Sequence, residues 1–455
     1  MSHASFSEIR RPAISAKMES VLLYGVFGLL LFGPLAFGAV EPWSIFAMEA
    51  GATALFLAWM GSQVLEGAIK VRWNPLFLPM AAFAGLVLIQ LLFHGTAYLH
   101  DTASLALLYC AYAILCFLAT QVLTRAPQAR SLAFAFCIYG TALALFSLIQ
   151  GISPNGKLYW LRQPRMGGWI YGPYVNHNHY AGLMEMLAPI PLILSLSHLG
   201  PPRVRALAGA CAALMVGTVF LSGSRGGMLA ILFELALLAA LLVRQKRSLR
   251  TAIGIGVFLA LVIGLLAWVG GAELSQRIAT VGPGHTGLSA DFRMSINRDA
   301  VRMFLKRPIL GWGLGSFPVV YPQFRSFYTN LFVNQAHNDY LQLLVEMGAL
   351  GFATMVWFVG TLYGRGARKI SGWSADAGAA MALACLLGVT GILVHSAVDF
   401  NLQIPANAAL FYVMATVAGS EPFAKPAHKR RRARKQPAEE IIRTSENLQP
   451  SGANF

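Results

Sequence analysis

Four short polar stretches interrupt an otherwise apolar chain, and their residue types suit chemistry on phosphate. They are Asn176-His177-Asn178-His179-Tyr180, Ser222-Gly223-Ser224-Arg225-Gly226-Gly227, His337-Asn338-Asp339-Tyr340-Leu341-Gln342, and His395 with Asp399-Phe400-Asn401-Leu402-Gln403. Arg293 and Arg298 lie between the second and the third. A guanidinium is a permanent cation whose fork matches phosphate oxygens. His177 and His337 stand where helices are expected to begin, and a helix N-terminus favours anions. The same dipole favours a neutral imidazole, which places His337 to accept a proton. Arginines beside such a histidine suit attack by a hydroxyl on a group carried by phosphate or pyrophosphate. The cations would stabilise the departing phosphate while the histidine takes the proton of the hydroxyl.

Each residue also has a plainer reading. Most exposed arginines are solvated charges, and we read Arg277, Arg302, Lys306, Arg307 and Arg325 that way. A histidine at a helix start is more often a cap than a base; His337 stands out through its neighbours. Glu49, Glu185, Glu234 and Glu346 fall within apolar runs, where acids are functional by default. For Glu185 and Glu346 the expectation is pairing with arginines that orders the site. His177 and His179, two apart, are not aimed together by a helix, whereas His395 and Asp399, four apart, can be. With no HExxH motif and no cysteine ligand, neither a metal nor another cofactor is expected.

The elements that carry these residues follow from composition. The residues AVILMFWYC make up 56% of 455, and charged residues only 12%, against about 25% in an average soluble domain. The charges are lopsided, 35 Lys and Arg against 19 Asp and Glu. A nucleic-acid binder can be that basic but not that apolar, so no nucleic-acid partner is expected. The hydrophobicity also excludes a disordered chain. An all-α polytopic membrane protein remains. Crossing the hydrocarbon core takes about 20 apolar residues, and such windows recur near 19–40, 44–66, 76–94, 103–123, 131–151, 176–198, 204–221, 227–243, 251–271, 338–363, 377–398 and 404–420. With twelve spans and a cytoplasmic N-terminus, the basic clusters at Arg10, Arg11 and Lys17, at Arg244–Arg250 and at Lys425–Lys435 all fall inside, as the positive-inside rule asks. Both termini are then cytoplasmic. Residues 1–18 form a short N-terminal segment before an uncleaved anchor, 19–420 the membrane domain, and 421–455 a basic disordered tail against anionic lipid. Cys110, Cys116, Cys137, Cys211 and Cys385 all fall within spans and read as packing residues.

Two outside loops are long, 152–175 and 272–337. The second carries two helical patterns. One runs from Asp291, a good N-cap, to Lys306, with Ile296, Ala300, Met303 and Phe304 on its apolar face and Arg293, Asn297, Arg298 and Arg302 off it. The other begins near Ser316–Pro318, with Phe317, Tyr321, Phe324, Phe327 and Tyr328 as an aromatic stripe suited to a membrane interface. Gly311-Trp312-Gly313-Leu314-Gly315 reads as a tight turn between them. The four polar stretches share this face of the membrane and are expected to converge into one pocket.

The segments SGSRGG (222–227), RPILGWGLGSF (307–317) preceded by Arg293, and AHNDYLQLLVEMGALG (336–351) resemble the O-antigen ligase/polymerase superfamily of bacterial membrane glycosyltransferases. NHNHYAGLMEM (176–186) and HSAVDFNLQIPANAALF (395–411) are similar to it as well, so the resemblance runs over roughly 170–412. It implies a C-type glycosyltransferase-like fold in the inner membrane, free of a required metal, with a large helical periplasmic loop. It also implies a glycan donor linked to undecaprenyl pyrophosphate and a hydroxyl acceptor on lipid A core or another glycan, in lipopolysaccharide or exopolysaccharide assembly. Matched by motif, His337 would be the catalytic base and Arg225 and Arg293 the pyrophosphate-binding arginines. Arg298, Asn176, His177, Asn178, Asn338, Asp339, Glu346 and Asp399 would complete substrate binding. Members often carry Trp where this chain has Asn297. Ligase, polymerase and protein oligosaccharyltransferase remain alternatives. A secondary transporter, or an export scaffold without transferase activity, is the rival from another class, though the internal halves of many transporters are not visible.

Overall fold

In lipid a backbone finds no hydrogen-bond partner but itself, so long apolar runs have to be helices, and those among the described residues are. The protein is described by a computed structural model over residues 13–164, 168–244, 290–330 and 332–421. Its helices are α1 (Ala13–Leu35), α2 (Pro42–Leu65), α3 (Phe77–Leu92), α4 (Leu99–Val122), α5 (Ala126–Ile152), α6 (His177–Leu187), α7 (Pro189–Leu196), α8 (Pro202–Ser222), α9 (Arg225–Arg244), α10 (Ala290–Lys306), α11 (Phe317–Val320), α12 (Asp339–Lys369), α13 (Ala377–His395) and α14 (Pro405–Gly419). Among the described residues there is no strand, only two isolated bridges. Among the described residues, nine helical runs are long and apolar enough to cross a membrane, with α6 and α7 forming one of them. The shorter α3 and α14 occupy two more of the windows expected as spans. The window 251–271 and the tail 422–455 lie outside the described residues, as do residues 272–289 of the long loop.

Burial divides the helices into a centre and a surround. The most hydrophobic windows of α6–α7 and of α13 are each 83% buried, and α14 is buried over nearly its whole length. Around them α2, α5 and α9 turn Phe46, Leu57, Phe134, Ile149, Leu229 and Phe233 outward. An apolar surface of that extent suits lipid and not water. Polar contacts sort the chain into two ends. Arg162 pairs with Glu41 at 2.6 Å at one end. At the other, Arg125 pairs with Glu19 at 3.0 Å and Lys369 donates to Ser420 Oγ at 2.8 Å.

The long loop carries a core of its own. Ile296, Ala300 and Met303 of α10 are fully buried against Phe317, Val320, Tyr321 and Val345. The helix already includes Asp291 in its first turn, so this residue is not the cap the sequence suggested. The second helical pattern is also shorter than expected. α11 is a single turn followed by a 3-10 turn at Tyr321–Gln323, because Pro318 and Pro322 cannot donate to a longer ladder. The aromatic stripe is therefore not an interfacial face: Phe317 and Tyr321 are buried in the loop core, and only Tyr328 stands fully out, at 87% exposure. Asp299, fully buried, ties the loop together by accepting from Tyr321 Oη, Ser326 N and Ser326 Oγ at 3.0–3.2 Å.

The Gly-rich turn does more than connect helices. α12 is broken at Gly348, whose φ of +64° and ψ of −168° are not helical. The backbone groups freed there are taken up by the turn. Trp312 N and Gly313 N donate to the Val345 and Glu346 carbonyls at 2.9 Å, and Ala349 N donates to Pro308 O at 2.8 Å. A Cβ at Gly348 would run into the Ile309 carbonyl. Gln90 of α3 bolts the junction, donating to Leu310 O at 2.7 Å and Glu346 O at 2.9 Å and accepting from Leu314 N at 3.1 Å.

Candidate active site

The 222–227 stretch packs on the others through Ser222 O on His177 and Gly226 on His395, and the remaining three meet around Asp399. This residue follows the end of α13 and is almost wholly buried. Asn178 Nδ2 donates to its Oδ2 at 2.5 Å, and Phe400 N to its Oδ1 at 2.8 Å. His337 Nδ1 lies 3.8 Å from Oδ1. Arg293, reaching over from α10, places Nη2 3.7 Å from Oδ2 and donates through Nη1 to Val398 O at 3.0 Å. Burial alone would push the Asp399 carboxyl up. The neighbouring His337 imidazole and the charges of His179, Arg293 and His395 outweigh burial and hold it well below the usual carboxylate range.

His337 is set there by a strained backbone. Its φ of +54° is unusual for a residue with a Cβ, and such a conformation persists only where its surroundings impose it. The next residue supplies that constraint. Asn338 caps α12, accepting from Tyr340 N and Leu341 N at 3.0 Å, and its amide donates to Ala397 O at 2.9 Å. Phe400 fills the space between the His179 and His337 rings, edge-on to each at 4.8 Å. With Asp399 facing Nδ1, the tautomer that protonates Nδ1 leaves the lone pair on Nε2.

The remaining candidates divide by what they already hold. His177 is anchored through Nδ1 to Ser222 O at 2.9 Å and stacks on Trp169 at 4.5 Å. This ties the start of α6 to the turn that precedes Arg225. Arg225 is exposed at the first residue of α9. Asn176 caps α6 by accepting from Asn178 N at 2.9 Å. Asp339 accepts from Ser396 Oγ, Leu402 N and Gln403 Nε2 at 2.8–3.3 Å and so fastens the 396–403 stretch to α12. Asn176, Asn338 and Asp339 therefore position the site with groups that are already committed.

Three expectations change. Glu346 does not pair with an arginine; it accepts from Gly315 N, Phe317 N and Gln342 Nε2 at 2.9–3.3 Å and clamps the Gly-rich turn. Glu185 pairs with His395 Nδ1 at 3.0 Å, both side chains fully buried. Arg298 does not join the cluster. At about 100° per residue it lies roughly 140° around α10 from Arg293, and it is exposed. Sequence reasoning missed Phe400, the Val398 carbonyl and Gly226, which packs so closely on the His395 ring that a Cβ would collide with it. Gly226 had a signal in the doubled glycine after Arg225; the other two had none.

Residues 210–356 match the O-antigen ligase family. The match supports membership of the O-antigen ligase/polymerase superfamily. No curated protein matches the chain. Membership supports a ligase- or polymerase-type role in glycan transfer by an integral membrane protein. The matched stretch supplies Arg225, Arg293 and His337, whereas Asn178, His395 and Asp399 come from outside it. Buried atoms left without a partner among the described residues include Arg293 Nε, His337 Nδ1, Asn297 Oδ1 and His395 Nε2. Orphaned groups of this kind are rare in native structures, and two of them, on Arg293 and His337, face the same Asp399 carboxylate.

Proposed function

We propose that the protein transfers a glycan from an undecaprenyl-pyrophosphate donor to a hydroxyl acceptor at the periplasmic face of the inner membrane, in surface polysaccharide assembly. The observation that carries this reading is the placement of His337. It is held in a strained backbone against Asp399, with the Arg293 guanidinium on the same carboxylate. The acceptor oxygen attacks the anomeric carbon of the donor sugar. The bond from that carbon to the phosphate oxygen breaks, and its electron pair leaves with undecaprenyl pyrophosphate. The acceptor proton passes to His337 Nε2. Asp399 stabilises the resulting imidazolium and orients its ring. Arg293 and the exposed Arg225 meet the charge that develops on the departing pyrophosphate.

Purified full-length protein, given a lipid-pyrophosphate glycan without any ion gradient, is expected to transfer it. His337→Ala should lower the rate by about 10²–10⁴-fold, and Arg293→Ala by about 10²–10³-fold, with membrane insertion intact. Arg293→Lys should recover little, because an ammonium lacks the fork. Wild-type rates in both alanine variants would overturn the assignment. Deletion of the gene followed by glycan analysis separates the acceptor classes. A ligase leaves unmodified lipid A core, and a polymerase leaves single repeat units.

A further inference from the structure

A second cleft of about 530 Å³ opens beside the His337 centre, between α2 and α4, at the same end of the bundle. Its far wall is α12, through Gln342 and Glu346, and Gly315, Pro318 and Gln335 of the loop close it above. The polar groups lining it are carboxylates and amides, with His100 and Ser104 at the α4 side; no lysine or arginine is among the lining residues. Phe46 and Leu107, 68% and 62% exposed, stand on its edge.

Charge decides what such a cleft can take. A pyrophosphate seated among Glu49, Asp101 and Glu346 would find no cation to offset them, so the phosphates of any bound lipid stay outside the acidic part of the cleft. Sugar hydroxyls do, since carboxylates and amides accept and donate to adjacent hydroxyls. Glu346 is already committed to the Gly-rich turn. Glu49 is different: no hydrogen bond or ion pair joins it to another described residue, although it sits about two turns into an apolar helix. An acid kept at such a place is costly and calls for a functional reason. Asp101, in the first turn of α4, faces the same space. The cleft also reaches the chemistry. Gln403 lines it and donates to Asp339 Oδ1 at 3.3 Å, two residues from His337.

The geometry points to this cleft as the acceptor site, which takes a lipid-borne glycan whose hydroxyls are read by Glu49, Asp101 and Gln403 and whose lipid lies along Phe46 and Leu107. This assignment rests on the transferase reading for the word acceptor, but the binding it describes is measurable without transfer.

The test uses full-length protein in phospholipid nanodiscs with a photocrosslinking amino acid in place of Phe46. The probes are rough lipopolysaccharide, an undecaprenyl-pyrophosphate-linked saccharide, and the delipidated core oligosaccharide. A sugar-bearing lipid adduct, identified by mass and lost in Glu49→Gln/Asp101→Asn protein of unchanged melting temperature, is the expected result. An adduct with the free oligosaccharide alone would remove the lipid from the assignment, and phospholipid adducts alone would overturn it. In parallel, Glu49→Gln should raise the KM for acceptor by about tenfold or more while the KM for donor stays unchanged. Transfer with an unchanged acceptor KM and no sugar adduct would sink the cleft assignment and leave the transferase reading standing. A sugar adduct in a protein that transfers nothing would do the reverse.

Discussion

Asp399 is the residue on which the others converge, and its ionisation can be measured. A carboxyl held below its ordinary range contributes stability that is fully present above about pH 4, the unfolded value, and is lost only as pH falls towards the folded one. Thermal unfolding in detergent should therefore show no pH dependence from this group between pH 5 and 8. Asp399→Asn should lower the melting temperature at pH 7, and its deficit against wild type should shrink as pH drops below about 4. A deficit that stays constant from pH 7 to pH 3 would show that Asp399 is not the depressed carboxyl. At this scale the sequence revealed residue types well and partners poorly. His337, Arg293 and Asp399 stood out by motif and charge. That Asn178 would bind Asp399 across 221 positions could not be read, nor that Glu346 would cap a turn rather than an arginine. Local pattern encodes which face a side chain takes, not which distant chain meets it.

At the scale of elements, the junction of α12 with the Gly-rich turn holds the loop onto the bundle. Gln90 satisfies two carbonyls and one amide there from the last turn of an apolar helix. Gln90→Leu keeps the volume and strands those groups. Each lost bond to a buried backbone group costs about 1–3 kcal/mol, so a drop of several degrees in melting temperature is expected, with reduced transfer although Gln90 lies away from Asp399. Unchanged stability would mean that the turn is held by α12 alone. The helices themselves were legible, because hydrophobic runs of membrane length have only one solution. The aromatic register after Ser316 was not, because Phe317 and Tyr321 repeat at helical spacing while Pro318 and Pro322 forbid the helix that spacing describes.

For the molecule as a whole, charge asymmetry suggested orientation, and contacts sort the chain into the same two ends. Arg162 with Glu41 marks the end that holds Asp399, and Arg125 with Glu19 marks the opposite one. If the first end is periplasmic, Gln323→Cys in intact cells should react with a membrane-impermeant maleimide. Ser131→Cys, exposed at the start of α5, should react only after permeabilisation. The opposite pattern would invert the topology and with it the side on which the reaction runs. The sign of the charge bias could be read from the sequence. The burial of α6, α7 and α13 at the centre could not, since their composition resembles that of the lipid-facing helices around them.

The break at Gly348 also works as a depth gauge. Unbroken, the 31 residues of α12 would rise about 46 Å at 1.5 Å per residue, well beyond a hydrocarbon layer of about 30 Å. Residues 349–369 alone rise about 31 Å and match that layer. The piece from Asp339 to Met347 is then left to stand in the headgroup zone, about 13 Å of rise above the acyl chains. On the proposed reading, His337, just before it, stands above the acyl chains, on the side where a polyprenyl donor carries its pyrophosphate. The donor would not have to be lifted out of the bilayer to react; it would need only to diffuse sideways.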